Sequence, residues 1–190
     1  MSLFNNSKKY FNSYNKNIYN LLNKVDIKKI NTLVDRIVNL KKESKIILVG
    51  NGGSASIASH VAVDLTKILK VRAINFNEAN LITCFANDYG YENWVAKAFE
   101  AYAIKQDIAI FISSSGESKN IIRGCEYAKK NGIYTITFTG FKKRNKLSLM
   151  GNLNFWINSK KYNHIENVHQ ILLLSILDYI LEEKVKKIAD

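Results

Sequence analysis

Residues 47 to 65 read ILVGNGGSASIASHVAVDL. The stretch opens inside a wholly apolar run, KIILVG at 45 to 50, turns on a glycine pair, and continues with small and apolar residues at helical spacing. A short apolar run ending in glycine is the pattern of a strand buried on both faces of a parallel sheet, and the residues after the glycines predict a helix from about Ser54 to Leu69. Gly50, Gly52 and Gly53 permit tight or left-handed backbone, and Ser54 is placed to cap the helix. The free N–H groups of such a helix start favour an anion.

The same alternation extends in both directions. Upstream, Tyr10, Phe11, Tyr14, Ile18, Leu21 and Leu22, then Ile27, Ile30, Leu33, Val34, Ile37 and Val38, predict two amphipathic helices over 7 to 23 and 26 to 42. Downstream come RAINF (72 to 76), helices over 78 to 85 and 92 to 103, DIAIFIS (107 to 113), a helix over 118 to 131, YTITFTG (134 to 140) and LNFWIN (153 to 158). Five strands alternating with helices predict an α/β fold, a doubly wound three-layer sandwich on a mostly parallel five-stranded sheet. One domain over 1 to 190 is expected, with 1 to 43 a helical extension packed on it. A last helix, 163 to 189, contains ILLLSIL and is apolar nearly all round, which predicts that copies of the chain cover it.

Composition narrows the function. No run approaches a membrane span, and MSLFNNSKKYFNSYNKN has no apolar core of signal-peptide type, so a cytoplasmic protein without membrane contact is expected. The net charge of +12 is spread over many segments without an aromatic-basic module, which argues against nucleic acid and suits an anionic small substrate. Cys84 and Cys125, each in an apolar-periodic segment, are expected to be two buried thiols.

A second turn, ISSSGESKN at 112 to 120, sets Ser113, Ser114, Ser115 and Ser118 around Gly116 at another helix start. Hydroxyls with helix-terminal amides hold a phosphate, and two such loops fall on the ligand edge of the sheet. Neither loop is a dinucleotide or P-loop fingerprint, so no nucleotide cofactor is expected. His60 and Asp64, at i and i+4, share a helix face near that edge. They read either as a hydrogen-bonded surface pair or as a ligand pair or base with its orienter. HIENVH (164 to 169) groups His164, Glu166 and His169, with a solvated helix start as the blander reading.

Together, GNGGSASIASHVAVDL, FANDYGYENWVAKAFEAYA, ISSSGESKNIIRGCEYAKKNGI, ITFTG and HIENVHQILLLSILDYI resemble the sugar isomerase (SIS) domain family, in its phosphoheptose isomerase branch. The resemblance implies a flavodoxin-like homotetramer with sites at subunit interfaces and an aldose–ketose isomerase of a phosphorylated sugar, sedoheptulose 7-phosphate, feeding surface-polysaccharide synthesis. It implies substrate contacts from Asn51, Gly52, Gly53, Ser54 and Asp88, and from Ser113, Ser114, Ser115 and Ser118. It matches His60 to a zinc ligand, Asp64 to a ligand and base that is glutamate in the family, and Glu166 to a ligand that is glutamine there. These three are the expected catalytic residues and metal ligands. A family histidine that serves as ligand and base is Leu174 here, so zinc is expected to be weakly bound or absent. The same loss leaves a second reading open, a non-catalytic phosphosugar sensor or protein-binding adaptor.

Overall fold

The computed structural model describes residues 6–189. Two helices, α1 (Ser7–Leu22) and α2 (Ile27–Val38), lead into β1 (Ile46–Gly50) and α3 (Gly53–Lys67). There follow β2 (Ala73–Asn75), α4 (Ala79–Tyr89), α5 (Trp94–Tyr102), β3 (Ile108–Ser113), α6 (Lys119–Lys130), β4 (Tyr134–Thr139), β5 (Leu153–Trp156) and α7 (Tyr162–Ala189). All neighbouring strands pair in parallel, in the order β2-β1-β3-β4-β5. The order reverses between β1 and β3, so their following connections part to opposite faces and leave a crevice at their carboxyl ends.

Strand alternation divides the core in two. Ile46, Leu48, Ile108, Ile110, Ile112 and Phe138 pack under α2, α3 and α7, while Ile47, Val49, Ala109 and Phe111 pack under α5 and α6. Each such aliphatic side chain contributes roughly 1.5–3 kcal/mol by leaving water, which is why β1 and β3 are buried along their whole length. Their ends are thereby held rigidly, and the crevice with them. α1 lies on α7 through Ile18, Ile165 and Val168.

Three expectations are corrected. Cys84 is exposed, because α4 buries no residue, whereas Cys125 is buried and its thiol pKa is pushed up to about 12 by desolvation. Ser54 does not cap α3: the N-cap is Gly52, at φ +55°, and Ser54 lies inside the first turn. HIENVH is not a solvated face either, since His164 and His169 are both buried. A 3-10 turn, Leu147–Leu149, precedes β5 where the sequence pattern shows only a polar loop.

Candidate active site

The β1–α3 connection is built from backbone needs. Gly52 takes a left-handed φ, and at Gly50 a side chain would run into the Ser54 backbone at 2.6 Å. Asn77 fixes the end of β1 by accepting from Gly50 N at 3.1 Å and donating to Gly50 O at 2.7 Å. Asn51 then exchanges two amide hydrogen bonds with the buried Asn120 on α6, at 3.0 and 2.9 Å, and accepts from Tyr91 Oη at 3.3 Å. This reciprocal pair ties the first loop to the second.

In the second loop Gly116, at φ +67°, has the Asn145 side chain where a Cβ would stand. Asn145 is itself locked, donating to Gly140 O and Lys142 O and accepting from Ser148 N. Ser113 Oγ donates to Ser118 Oγ at 3.2 Å, Ser115 Oγ accepts from Glu117 N at 3.2 Å, and the Ser114 hydroxyl is buried without a partner. A cleft of about 120 Å³ is lined by Asn51, Ser54, Ser113, Ser114, Ser115, Ser118, Tyr162 and Glu166. The amino ends of α3 and α6 both meet it, so backbone dipoles and hydroxyls converge where an anion would sit. A wider space of about 470 Å³, lined by Asn51, Tyr91, Glu92, Ser118, Lys119 and Asn120, adjoins it.

Glu166 enters from α7. Its carboxyl lies against Gly53, where a Cβ would collide with Oε2, and burial raises its pKa. One turn further along α7, Gln170 Nε2 is 3.5 Å from His60 Nδ1, and His60 Nε2 is 3.2 Å from Asp64 Oδ2. α3 and α7 therefore run in the same direction, and a line of polar groups follows their groove: the serine loop, Glu166, Gln170, His60, Asp64. An amide N–H can only donate to Nδ1, which leaves the proton of a neutral imidazole on Nε2, facing the Asp64 carboxylate.

The structure thus brings together Asn51, Gly52, Gly53, Ser54, the four serines and Glu166, with His60 and Asp64 as a pair further along. Asp88 is not brought in. It lies exposed on α4 with Asn87 and Cys84 for neighbours. Tyr91, Asn120, Tyr162 and Gln170 escape a reading of the sequence, because a neutral side chain carries no signal until its partner is known.

Residues 9–140 match the model of the SIS domain family. Over 147 residues, 74% of this chain and 76% of its relative, the sequence is 37% identical to a phosphoheptose isomerase of Helicobacter pylori. The chain belongs to the SIS-domain family, in its phosphoheptose isomerase branch. The fold agrees with that of the phosphoheptose isomerase of Neisseria gonorrhoeae, with TM-score 0.85, 23% identity and coverage of 94% of this chain and 98% of that one. It agrees also with a phosphoheptose isomerase from Francisella tularensis, with TM-score 0.83, 24% identity and coverage of 96% and 100%.

Membership in the SIS-domain family raises the question of zinc. A zinc site needs three or four donors around one point. Of the three expected ligands, His60 and Asp64 stand together at 3.2 Å, and no three His, Cys, Asp or Glu side chains converge among the described residues. The expected third ligand, Glu166, is turned to Gly53, and Leu174 packs on the apolar core. His169 is no substitute: it is fully buried, its Nε2 bonded to Thr139 O at 3.2 Å. The donor set present in one chain does not fit zinc.

Proposed function

We propose that this protein is a sugar-phosphate aldose–ketose isomerase that interconverts sedoheptulose 7-phosphate and a heptose 7-phosphate for surface-polysaccharide synthesis. The observation that carries the reading is the anion cleft between two helix starts, continued by a polar groove that ends on a carboxylate. The phosphate sits among Ser113, Ser114, Ser115, Ser118 and the amides of the β1–α3 turn. At ~1.5 Å of rise per residue, His60 lies about 10 Å along α3 from Gly53. A seven-carbon open chain at ~1.2 Å per bond spans roughly 7 Å before its phosphate is added. The reacting carbons C1 and C2 then fall beside His60 and Asp64.

Asp64 is the base. Its Oδ2 accepts from His60 Nε2–H, which leaves Oδ1 to remove the proton from C1 of the ketose, exchange it with solvent and protonate C2 of the enediol, while O2 gains a proton and the O1 hydroxyl loses one; a well-placed base is worth about 10² to 10⁴ in rate. His60, held by Gln170, orients the Asp64 carboxylate through its Nε2–H. Glu166, whose pKa burial raises and the substrate phosphate raises further, faces the sugar hydroxyls and orients them. The protein works as a cytoplasmic homotetramer. Among the described residues no helix is long and apolar enough to cross a membrane, and Tyr89, Tyr91, Ile171 and Tyr179 are exposed apolar surface for partner copies.

Leu174 favours a second reading, a phosphosugar sensor without activity. Asp64→Ala separates the two. In an isomerase it abolishes turnover and leaves phosphosugar affinity nearly intact; wild-type protein that binds sedoheptulose 7-phosphate without turning it over is a sensor.

A further inference from the structure

At the amino-terminal edge of the sheet, away from the serine loops, a cleft of about 570 Å³ lies between the end of α2, the turn into β1 and the turn from α3 to β2. Lys41, Lys42, Lys70, Arg72 and Lys184 surround it, over an apolar floor. No acidic side chain lines it, and none of the five cations forms an ion pair among the described residues. Two are aimed by backbone carbonyls instead: Arg72 Nη1 donates to Glu43 O at 2.8 Å and Lys184 Nζ to Leu69 O at 3.2 Å. Lys70 takes a left-handed φ of +57°, a conformation that a long side chain adopts at a cost. Ser44 lines the same cleft at 1% exposure, and its hydroxyl has no hydrogen-bond partner.

Five like charges repel one another across such a cleft, and a buried hydroxyl without a partner is a cost to the fold. One kind of ligand relieves both. We propose that this cleft is a second anion site, separate from the sugar-phosphate cleft, that binds a small molecule carrying two or more linked phosphates. The phosphate oxygens meet the cationic rim and one accepts from Ser44 Oγ. The volume is within the range of small-molecule sites, and the inference stands whether or not the isomerase reading does.

Calorimetric titration of the full chain with inorganic tripolyphosphate at low salt tests it. Saturable binding tighter than about 1 mM is expected, weakening as salt screens the charges. Lys41→Ala/Arg72→Ala weakens it at least tenfold. Ser44→Ala weakens it about threefold with a melting temperature level or raised, since that hydroxyl has no intramolecular bond to lose and its removal relieves a buried polar group. Lys143→Ala/Arg144→Ala, which removes equal charge elsewhere, leaves affinity unchanged. The inference is overturned if wild-type protein shows no saturable binding, if Lys41→Ala/Arg72→Ala binds as well as wild type, or if the two double variants lose affinity equally.

Discussion

Gly53→Ala separates the work of Glu166 from the stability of the fold. The new Cβ would stand inside the contact distance of Glu166 Oε2 and 2.8 Å from its Cδ. Gly53 begins α3, and its φ is not among the left-handed ones, so the backbone accepts alanine. The group that must yield is the far end of a flexible side chain, so the carboxyl swings out of the cleft. Alanine for glycine inside a helix gains about 0.5–1 kcal/mol, and 1 kcal/mol moves Tm by about 2–4 °C at this chain length. Tm should stay level or rise slightly. A hydrogen bond to a charged or strongly polarised group is worth about 1.5–3 kcal/mol, so kcat/KM should fall roughly 10- to 100-fold. Glu166→Gln, which keeps the side chain's length and polar end in place, should lower kcat/KM by less than Gly53→Ala does and tighten phosphosugar binding by removing a like charge. The assay is isomerase turnover beside differential scanning calorimetry. Gly53→Ala with normal kcat/KM would refute the role of Glu166, and a fall in Tm beyond about 5 °C would show that the carboxyl cannot move as argued.

Burial lowers the His169 pKa to about 4 while its Nε2–H donates to Thr139 O. Its neutral form is therefore the folded form: the stability it allows is present above the unfolded pKa near 6.5 and is lost as pH falls from there to about 4, to the extent of about 3 kcal/mol. His169→Gln, which keeps the donor, should flatten that part of the pH dependence of urea unfolding, and an unchanged slope would contradict it. Gly116→Ala sets a Cβ against Asn145 at φ +67°. It should cost about 1–3 kcal/mol and weaken phosphosugar binding at least tenfold; a variant with wild-type Tm and affinity would show that the serine loop does not need this shape. Protein as purified should carry well under one equivalent of zinc by elemental analysis, with affinity raised by Leu174→His. Stoichiometric zinc that survives dialysis against a chelator would contradict the donor argument.

The sheet and its helices were legible because burial imposes a period on the sequence. β1 and β3 are buried on both faces and read as unbroken apolar runs, and α2 and α6 carry one apolar stripe each. The ligand edge was legible for a related reason, since Gly52 and Gly116 occupy backbone conformations that other residues avoid. The partners of those loops were not. Asn120 holds the first turn through amide bonds to Asn51, 69 residues away, and Asn145 fills the space beside Gly116 from a distant loop. An asparagine carries no periodicity to announce such a contact. α4 misled in the opposite direction: Leu81, Ile82 and Phe85 have core spacing but are only partly covered in one chain, which left Cys84 and Asp88 on the surface. Gln170 went unread because its significance lies in His60, a helix away.

At the heart of the proposed reaction, Asp64 moves a proton between C1 and C2 of a phosphosugar held by the serine loop. Incubation with sedoheptulose 7-phosphate in deuterium oxide, followed by proton NMR, measures that transfer directly. The aldose should form with solvent deuterium at C2, and the ketose should exchange at C1, both lost in Asp64→Asn while the phosphosugar still binds. No deuterium incorporation by the wild-type protein, with or without added zinc, or undiminished incorporation by Asp64→Asn, would contradict this mechanism.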